Sequence, residues 1–402
     1  MNIAFLLGSG VSIPAGFPRT VELTQAVLYG NGYARHTDGS YYKGPAQCEH
    51  AGMADFHVPP ISRFLRWLNC QVVDYYDDRL GREVNYEDLY YLVEQIRHEE
   101  VGELDNPFVR DARTHIVRRL HQCPADILRS QGGDDADTRI SEITTKILDY
   151  IRGVVVSELS RKNANGLYLQ FLKDAKVDSA SGQICVFTLN HDLLVDQFLT
   201  DHHITVIDGF QGPINGVRYF DPRSLSDTGP GCVLLKLHGS INWYRFRTCG
   251  GDWYDERIGY TVGNHDIDHT TGPDGKPQET VEVGPIILIG TVNKILAYAR
   301  GIFPDLFAEF RRRLATVDAV IVIGYGFGDQ GINGQLLHWI YGDGNRRIVV
   351  VHPNPAELRD AARGAIQNKW DDWLRSGTLR VYETGAEKAT WSEMSKRISA
   401  NP

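Results

Sequence analysis

No two cysteines of this chain stand in a Cys-x-x-Cys pair. The six (Cys48, Cys70, Cys123, Cys185, Cys232 and Cys249) are scattered through 402 residues. That scatter argues against a ribbon or treble-clef zinc site and against a disulfide framework, and no metal is assigned. Cys185 and Cys232 fall inside apolar runs, where a thiol serves as a small hydrophobe. Dense positive charge is also missing: the net charge is -9. The single basic run, "FRRRL" at 310–314, lies in a helical pattern and reads as a solvated face, so no direct nucleic-acid binding is expected. No segment approaches the ~20 apolar residues of a membrane span. The opening "MNIAFLLGSG" lacks the basic start and the long apolar run of a signal peptide. A soluble, cytoplasmic protein is expected. GxxxxGK[ST] is absent too, so P-loop chemistry lacks its lysine. "GVSIP" approaches the serine-hydrolase elbow, but Pro14 replaces its second glycine.

What is present is a repeated strand–helix alternation. Apolar, often β-branched runs occur at 2–8, 184–189, 203–208, 232–238, 285–290, 319–324, 347–352 and 378–383. Several are continuously hydrophobic, as strands covered on both faces are. Helical patterns separate them, including "NHDLLVDQFLTDH", "FPDLFAEFRRRLATV" and "GINGQLLHWIYG". The expectation is an α/β fold: a doubly wound, mostly parallel Rossmann-like sheet with a large helical insertion after the first strand. The sheet domain is discontinuous (1–19 and 183–402), with the helical insertion at 20–182 and an irregular or β insertion at 210–283. Within the helical part, Tyr86, Leu89, Tyr90 and Val93 form one stripe behind Asn85 as N-cap. Ile140, Ile143, Ile147 and Ile151 stripe a second, long helix.

Chemistry concentrates at the strand ends, where open α/β sheets bind ligands. The first strand runs into "GSGVSIPAGFPR". Gly8, Ser9, Gly10 and Ser12 there could cradle a pyrophosphate, or simply make a tight strand-to-helix turn. The second candidate, "FTLNHDLLVDQ", places Thr188, Asn190 and Asp192 at a junction where capping of the next helix is the plain alternative. "VLLKLHGSINWYR" is an apolar strand around a single Lys236 that ends in His238 and Gly239. A buried, hydrogen-bonded histidine is common, yet imidazole is also the side chain suited to proton transfer near neutrality. "VIVIGYGFGDQGIN" ends a further strand in Gly324, Tyr325 and Gly326, with Asp329 and Asn333 ahead of a helix. "VVVHPNPAEL" puts Asn354 between two prolines. The cluster His265, Asp266, Asp268 and His269 has metal-ligand chemistry but no apolar anchor, and reads as a solvated loop.

Taken in order, these motifs resemble those of the sirtuin-like NAD-binding family. Gly8, Gly10, Ser12, Gly16, Pro18 and Arg19 are similar to its GAGxSxxSGIPxFR pattern, one residue shorter before the arginine. Thr188, Asn190 and Asp192 resemble its T-x-N-x-D motif, His238 and Gly239 its His-Gly, and Gly324 to Gly326 its later strand end. Protein-deacylating members carry a zinc module of paired cysteines that this sequence lacks. The long insertion and the forms "LHGSINW" and "GYGFGDxxIN" instead look like bacterial sirtuin-like effectors of antiphage defence. That resemblance implies hydrolysis of NAD to nicotinamide and ADP-ribose, with NAD as substrate, no zinc and no other cofactor. It implies Asn190 and His238 as catalytic residues. NAD would be bound by Gly8, Ser9, Gly10, Ser12, Asp192, Gly324, Gly326 and Asn354, with Gly239 leaving room for substrate. It also implies a HerA-type hexameric ATPase as partner. Because unregulated NAD consumption would harm the host, a homo-oligomer under control is expected. The alternatives are a non-catalytic NAD or ADP-ribose sensor and a zinc-less deacylase.

Overall fold

Continuous apolar runs call for a sheet covered on both faces, and the computed structural model builds one. It describes residues 2–35, 39–43, 58–103, 107, 109–111, 136–160, 164–227, 229–263, 266–267, 269–282, 284–291 and 293–400. In chain order the strands are β1 (Ile3–Leu7), β2 (Tyr33–Arg35), β3 (Tyr41–Lys43), β4 (Gln183–Thr188), β5 (Val206–Ile207), β6 (Val217–Tyr219) and β7 (Gly231–Lys236). They continue with β8 (Tyr244–Thr248), β9 (Arg257–Thr261), β10 (Thr270–Thr271), β11 (Pro277–Thr280), β12 (Ala319–Ile323), β13 (Arg347–Val351) and β14 (Leu379–Tyr382). Two compact units contain them: Met1–Phe17 with Lys162–Leu288 and Lys294–Pro402, and Pro18–Arg161 with Ile289–Asn293.

In the first unit seven strands lie in the order β14-β13-β12-β1-β4-β7-β5. Every neighbouring pair is parallel, so the sheet is a Rossmann-like, doubly wound one. Alternation along β1 sends Ala4 and Leu6 to one face. There they join one core with Phe187, Leu235 and Val322 and with Phe310, Trp339 and Trp370 of the helices Phe303–Ala315, Gln330–Gly342 and Ala365–Ser376. Phe5 serves the opposite face, its ring 5.7 Å from Phe171 and 6.3 Å from Trp391. The chain leaves β1 toward β4 and later returns to β1's other side as β12. That reversal between β1 and β12 is the topological switch point of the sheet, where a crevice forms outside the strand ends. A second, antiparallel sheet, β10-β11-β8-β9-β6, is built from residues 217–280.

Two sequence expectations need correction. Residues 285–290 do not form a strand of the parallel sheet; only Ile287 makes an isolated bridge, with Gly239. The segment instead runs back along the residues after β7, through Ile286 N–H to Trp243 O (2.7 Å), Ser240 N–H to Ile286 O (3.0 Å) and Leu288 N–H to His238 O (2.8 Å). Its apolar content seals the strand end instead of extending the sheet. Nor is "FRRRL" wholly solvated. Arg311 and Arg312 are exposed, but Arg313 is buried. Its guanidinium donates to Glu309 (2.6 Å), Gln183 (2.8 Å) and the carbonyls of Leu225 (3.0 Å) and Asp227 (3.1 Å). Having those partners is what lets a charge stay in the interior.

The second unit is helical, with Thr20–Tyr29, Val58–Leu80, Tyr86–Glu100 and Ala136–Leu159 and the short β2–β3 hairpin. Strands of three residues are too short to leave a period in the sequence, which is why the hairpin was not expected. Asn85 caps its helix as expected: its Oδ1 accepts from Glu87 N–H (2.9 Å) and Asp88 N–H (3.2 Å), and Asp88 returns the bond to Asn85 N–H (3.0 Å). Tyr86, Leu89, Tyr90 and Val93 are all buried, as are Ile143, Ile147 and Ile151. The side chain of Ile140, and Cys48 and Cys123, lie outside the described residues.

Candidate active site at the carboxyl ends of the parallel strands

Two strand ends meet backbone to backbone at the switch point. Gly8 N–H donates to Ile323 O (3.0 Å) and Gly10 N–H to Gly324 O (2.9 Å). A Cβ on Gly10 would stand 2.7 Å from Gly324 Cα, and one on Gly324, already at φ +67°, 2.3 Å from Val11 N. The glycines of "GSG" and "GYG" are therefore demanded by each other. Their two amides are committed to carbonyls, so they cannot also hold a pyrophosphate. Ser9 is exposed in the short 3-10 turn Ser9–Val11, and Gly326 has no heavy atom within 4 Å of where its Cβ would be. Those two positions are open to a ligand.

Below this turn the ends of β1 and β4 share a buried network. Ser12 Oγ donates to Asp192 Oδ2 (2.8 Å) and accepts from Asn190 Nδ2 (3.0 Å). The other carboxylate oxygen of Asp192 accepts from Leu194 N–H (3.0 Å), the first residue of the helix Leu194–Asp201, whose N-cap is Leu193. Thr188 Oγ1 accepts from Asn190 N–H (3.1 Å) and sets the turn. Ser12, Asn190 and Asp192 are all buried. Burial raises the Asp192 carboxyl above its usual range, against the charge of Lys236 and the bonds from Leu194 and Ser12. Lys236, the lone charge in β7, is itself buried and donates to Asp192 O (2.6 Å) and Asp196 Oδ2 (2.8 Å).

The end of β7 carries the second cluster. His238 Nε2 lies 3.0 Å from Tyr298 Oη and 3.1 Å from Asp329 Oδ2, and Tyr298 Oη donates to the same carboxylate (2.7 Å). The rings of His238 and Tyr298 stack at 6.1 Å and 20°. Asp329 Oδ1 caps the helix Gln330–Gly342 through Ile332 N–H (3.0 Å). Burial would push the Asp329 carboxyl up. The hydrogen bond and charge of His238, then Lys294 and the Ile332 amide, outweigh it and hold the group well below the usual carboxylate range. Asp329 stays ionised facing the imidazole. Gly239 answers to backbone geometry: at φ +83° a Cβ would sit 2.2 Å from Ile286 O. This contact requires glycine here independently of any substrate.

His191 stands between Asn190 and Asp192 and was not singled out from the sequence. Its ring is buried and 6.3 Å, centroid to centroid, from that of His238. Tyr298 also escaped sequence reading, since nothing around "ILAYAR" distinguishes it. Asp329 was visible as a polar residue after a strand, though not as the partner of His238. Asn354 is placed apart from both networks. It caps the helix Pro355–Ala361 through Glu357 N–H (3.3 Å), donates to the Glu357 carboxylate (3.0 Å), and is exposed. Among the described residues no group of three or more His, Cys, Asp or Glu side chains could hold a metal. His265 and Asp268 lie outside them. Cys185 and Cys232 are buried free thiols, and burial pushes Cys185 up to about 11. No helix among the described residues is long and apolar enough to cross a membrane.

Residues 184–373 match a family profile described as a SIR2-like domain. The span is just under half of the chain and contains Asn190, Asp192, His238, Gly324, Gly326, Asp329 and Asn354, whereas the Gly8–Ser12 turn precedes it. No curated protein matches the chain. Among solved structures, one of Sir2Tm bound to a propionylated peptide is 12% identical with a TM-score of 0.33, covering 96% of this chain and 89% of that one. A Sir2 homolog–NAD complex is likewise 12% identical at a TM-score of 0.33, covering 99% of this chain and 88% of its own. A likeness of that size fixes neither activity nor site.

Proposed function

We propose that the chain is an NAD glycohydrolase, cleaving NAD to nicotinamide and ADP-ribose with Asn190 and His238 as its catalytic residues. The observation that carries this reading is the adjacency of two polar networks at neighbouring strand ends of a SIR2-like domain: Ser12–Asn190–Asp192 at β4, and His238–Tyr298–Asp329 at β7. Cleavage of the nicotinamide bond needs a fixed leaving group, stabilisation of a ribose with oxocarbenium character, and a proton acceptor for the attacking water. Asp192 suits the carboxamide: its carboxyl is buried and its position is fixed from both oxygens. Asn190 orients the ribose or the water. His238, held by an ionised Asp329, accepts the proton. Ser9 and Gly326, with Ser12, line the path of the phosphates. Gly8, Gly10 and Gly324 act by shaping the crevice, and Asn354 marks the far rim toward the adenosine. NAD is substrate throughout, and the chain's own residues need no further cofactor for these steps.

A catalyst is favoured over a sensor by the His238–Asp329 contact, because a pure binder has no use for an oriented imidazole. In the cell such an enzyme must be restrained. We take it to be a regulated, NAD-depleting effector of antiphage defence, active as a homo-oligomer and paired with a HerA-type ATPase. The first test is incubation of the purified chain with NAD, nicotinamide and ADP-ribose being resolved by chromatography, alone and with the ATPase. Release by wild type and loss in Asn190→Ala is expected. NAD bound without turnover under both conditions would make the chain a sensor, and an acyl-peptide requirement would make it a deacylase.

A further inference from the structure

The helix Phe303–Ala315 leads into β12 and the helix Gln330–Gly342 follows it, so both bring their C-termini to the amino end of that strand. Trp339 Nε1 fixes the second helix there by donating to Val317 O (3.1 Å), two residues before the strand. Between the helices lies a cavity of about 510 Å³. Ala308, Leu314 and Trp339 give it an apolar floor, and Arg311, Arg312, His338 and Arg346 stand around it. No carboxylate lines it.

Two of the guanidiniums are committed to no acid. Arg311 is exposed and has no hydrogen bond or ion pair among the described residues. Arg346 is held without losing its charge: it donates to Trp339 O and lies 5.5 Å from the centre of the Trp339 ring. Gly342 gives it room, since a Cβ there would stand 2.8 Å from Arg346 Nη1. Arg312 donates twice to Glu309 (2.7 and 2.6 Å), but that carboxylate also serves Arg313 (2.6 Å). Asp343 is turned to the Asn345 N–H (3.0 Å), outside the cavity.

Cations at helix C-termini have an ordinary use, because each end carries about half a negative charge that a basic side chain offsets. Two ends ask for about one positive charge. Four arginines against Glu309 leave three, so the cavity stays positive once that use is met. Guanidinium forks on a concave wall suit phosphate, which they can bond bidentately. The volume lies within the ~300–1,000 Å³ of small-molecule sites, and a bare phosphate has no use for an apolar floor. We propose that this cavity is a site for a nucleoside polyphosphate, with Arg311 and Arg346 holding the phosphates and the base lying on Ala308 and Leu314. The five residues of β12, about 17 Å of strand, separate it from the carboxyl ends. The inference therefore does not rest on the NAD reading.

The test is calorimetric titration of the full chain with cytidine triphosphate, in excess ADP-ribose so that the candidate active site is already filled. Inorganic triphosphate is the second probe, and wild type should bind it more weakly than the nucleotide. Arg311→Glu should weaken cytidine triphosphate binding by about tenfold or more, the usual cost of losing a hydrogen bond to a charged group. Arg346→Gln should do the same. Lys173→Glu makes the same change of charge as Arg311→Glu on the exposed face of the helix Gln170–Asp178, and should leave the affinity unchanged. Arg311 has no partner to lose, so Arg311→Glu decides even if Arg346→Gln fails to fold. Absence of binding, an equal loss in Lys173→Glu, or equal affinity for the two probes would overturn the site. So would tighter binding of a single-stranded oligonucleotide than of cytidine triphosphate, which would make this face a nucleic-acid surface.

Discussion

Two carboxylates, buried Asp192 at the end of β4 and half-buried Asp329 after β12, each accept a backbone N–H at the start of a helix with one oxygen and give the other oxygen to the candidate site. They are nevertheless tuned in opposite directions. Asp192 is raised, because burial outweighs Lys236 and two hydrogen bonds; Asp329 is lowered, because an imidazole stands against it. The difference separates two tasks. A buried carboxyl among neutral donors is placed to grip a polar ligand group, and its network still has an unpaired oxygen on Asn190. A carboxylate kept ionised beside an imidazole is placed to steady a charge that comes and goes. On the proposed function, binding and proton handling would be divided between adjacent strand ends.

The largest expected effect breaks the proton-handling side outright. His238→Ala should lower kcat for nicotinamide release by roughly 10²–10⁴-fold, the usual contribution of a positioned base, with the far-ultraviolet spectrum and ADP-ribose affinity retained. Turnover within a few-fold of wild type would remove His238 from its role. A smaller effect sharpens the same side. Asp329→Asn leaves Tyr298 and the helix cap a partner but deletes the charge, and a cation loses stability when an opposite charge is removed from its side. The acidic limb of the pH–rate profile should therefore move to lower pH, with kcat reduced on the order of tenfold. A profile unmoved in pH, with only its height changed, would reduce Asp329 to a structural cap.

Much of this arrangement was legible in the sequence, and what was missed has a physical cause. Strand runs and their polar ends could be read because a covered parallel strand is continuously apolar until it stops, as "ICVFT" and "CVLLK" are. Pairing between ends could not. In the sheet, β12 and β7 are separated by β1 and β4, about 14 Å at the usual strand spacing, yet Asp329 meets His238 because the loop after Gly324 sweeps back across the intervening strand ends. Periodicity holds no information about such a loop. Gly239 was read as leaving room for substrate, and its backbone gives a separate reason for glycine that the sequence did not show. The contact it relieves is with Ile286, 47 positions away, in a stretch whose apolar run looked like a strand. Short apolar runs do not reveal whether they extend a sheet or close its end.

The smallest effect tests the comparison in stability alone. Asp192 has a raised folded pKa, so whatever stability its protonated form adds is complete below the unfolded value near 3.8 and is lost as pH rises through the folded value. At pH 7 its ionised form is a net cost to the fold. Asp329 is the mirror case: its contribution is present above that unfolded value and vanishes only as pH falls through its depressed folded one. Asp192→Asn should then be neutral or mildly stabilising at pH 7, within about 1 kcal/mol, while abolishing tight ligand binding. Asp329→Asn should destabilise at the same pH. Below pH 6.5 a third group acts on both proteins alike. His191 is held neutral in the fold but takes a proton when unfolded, so stability drops by up to about 1.4 kcal/mol for each pH unit below 6.5 until the folded ring also protonates. Thermal unfolding of wild type and the two Asn variants between pH 5 and 8 resolves all three. Parallel curves, with both Asn variants shifted in the same direction at pH 7, would show that the two carboxylates are not tuned apart.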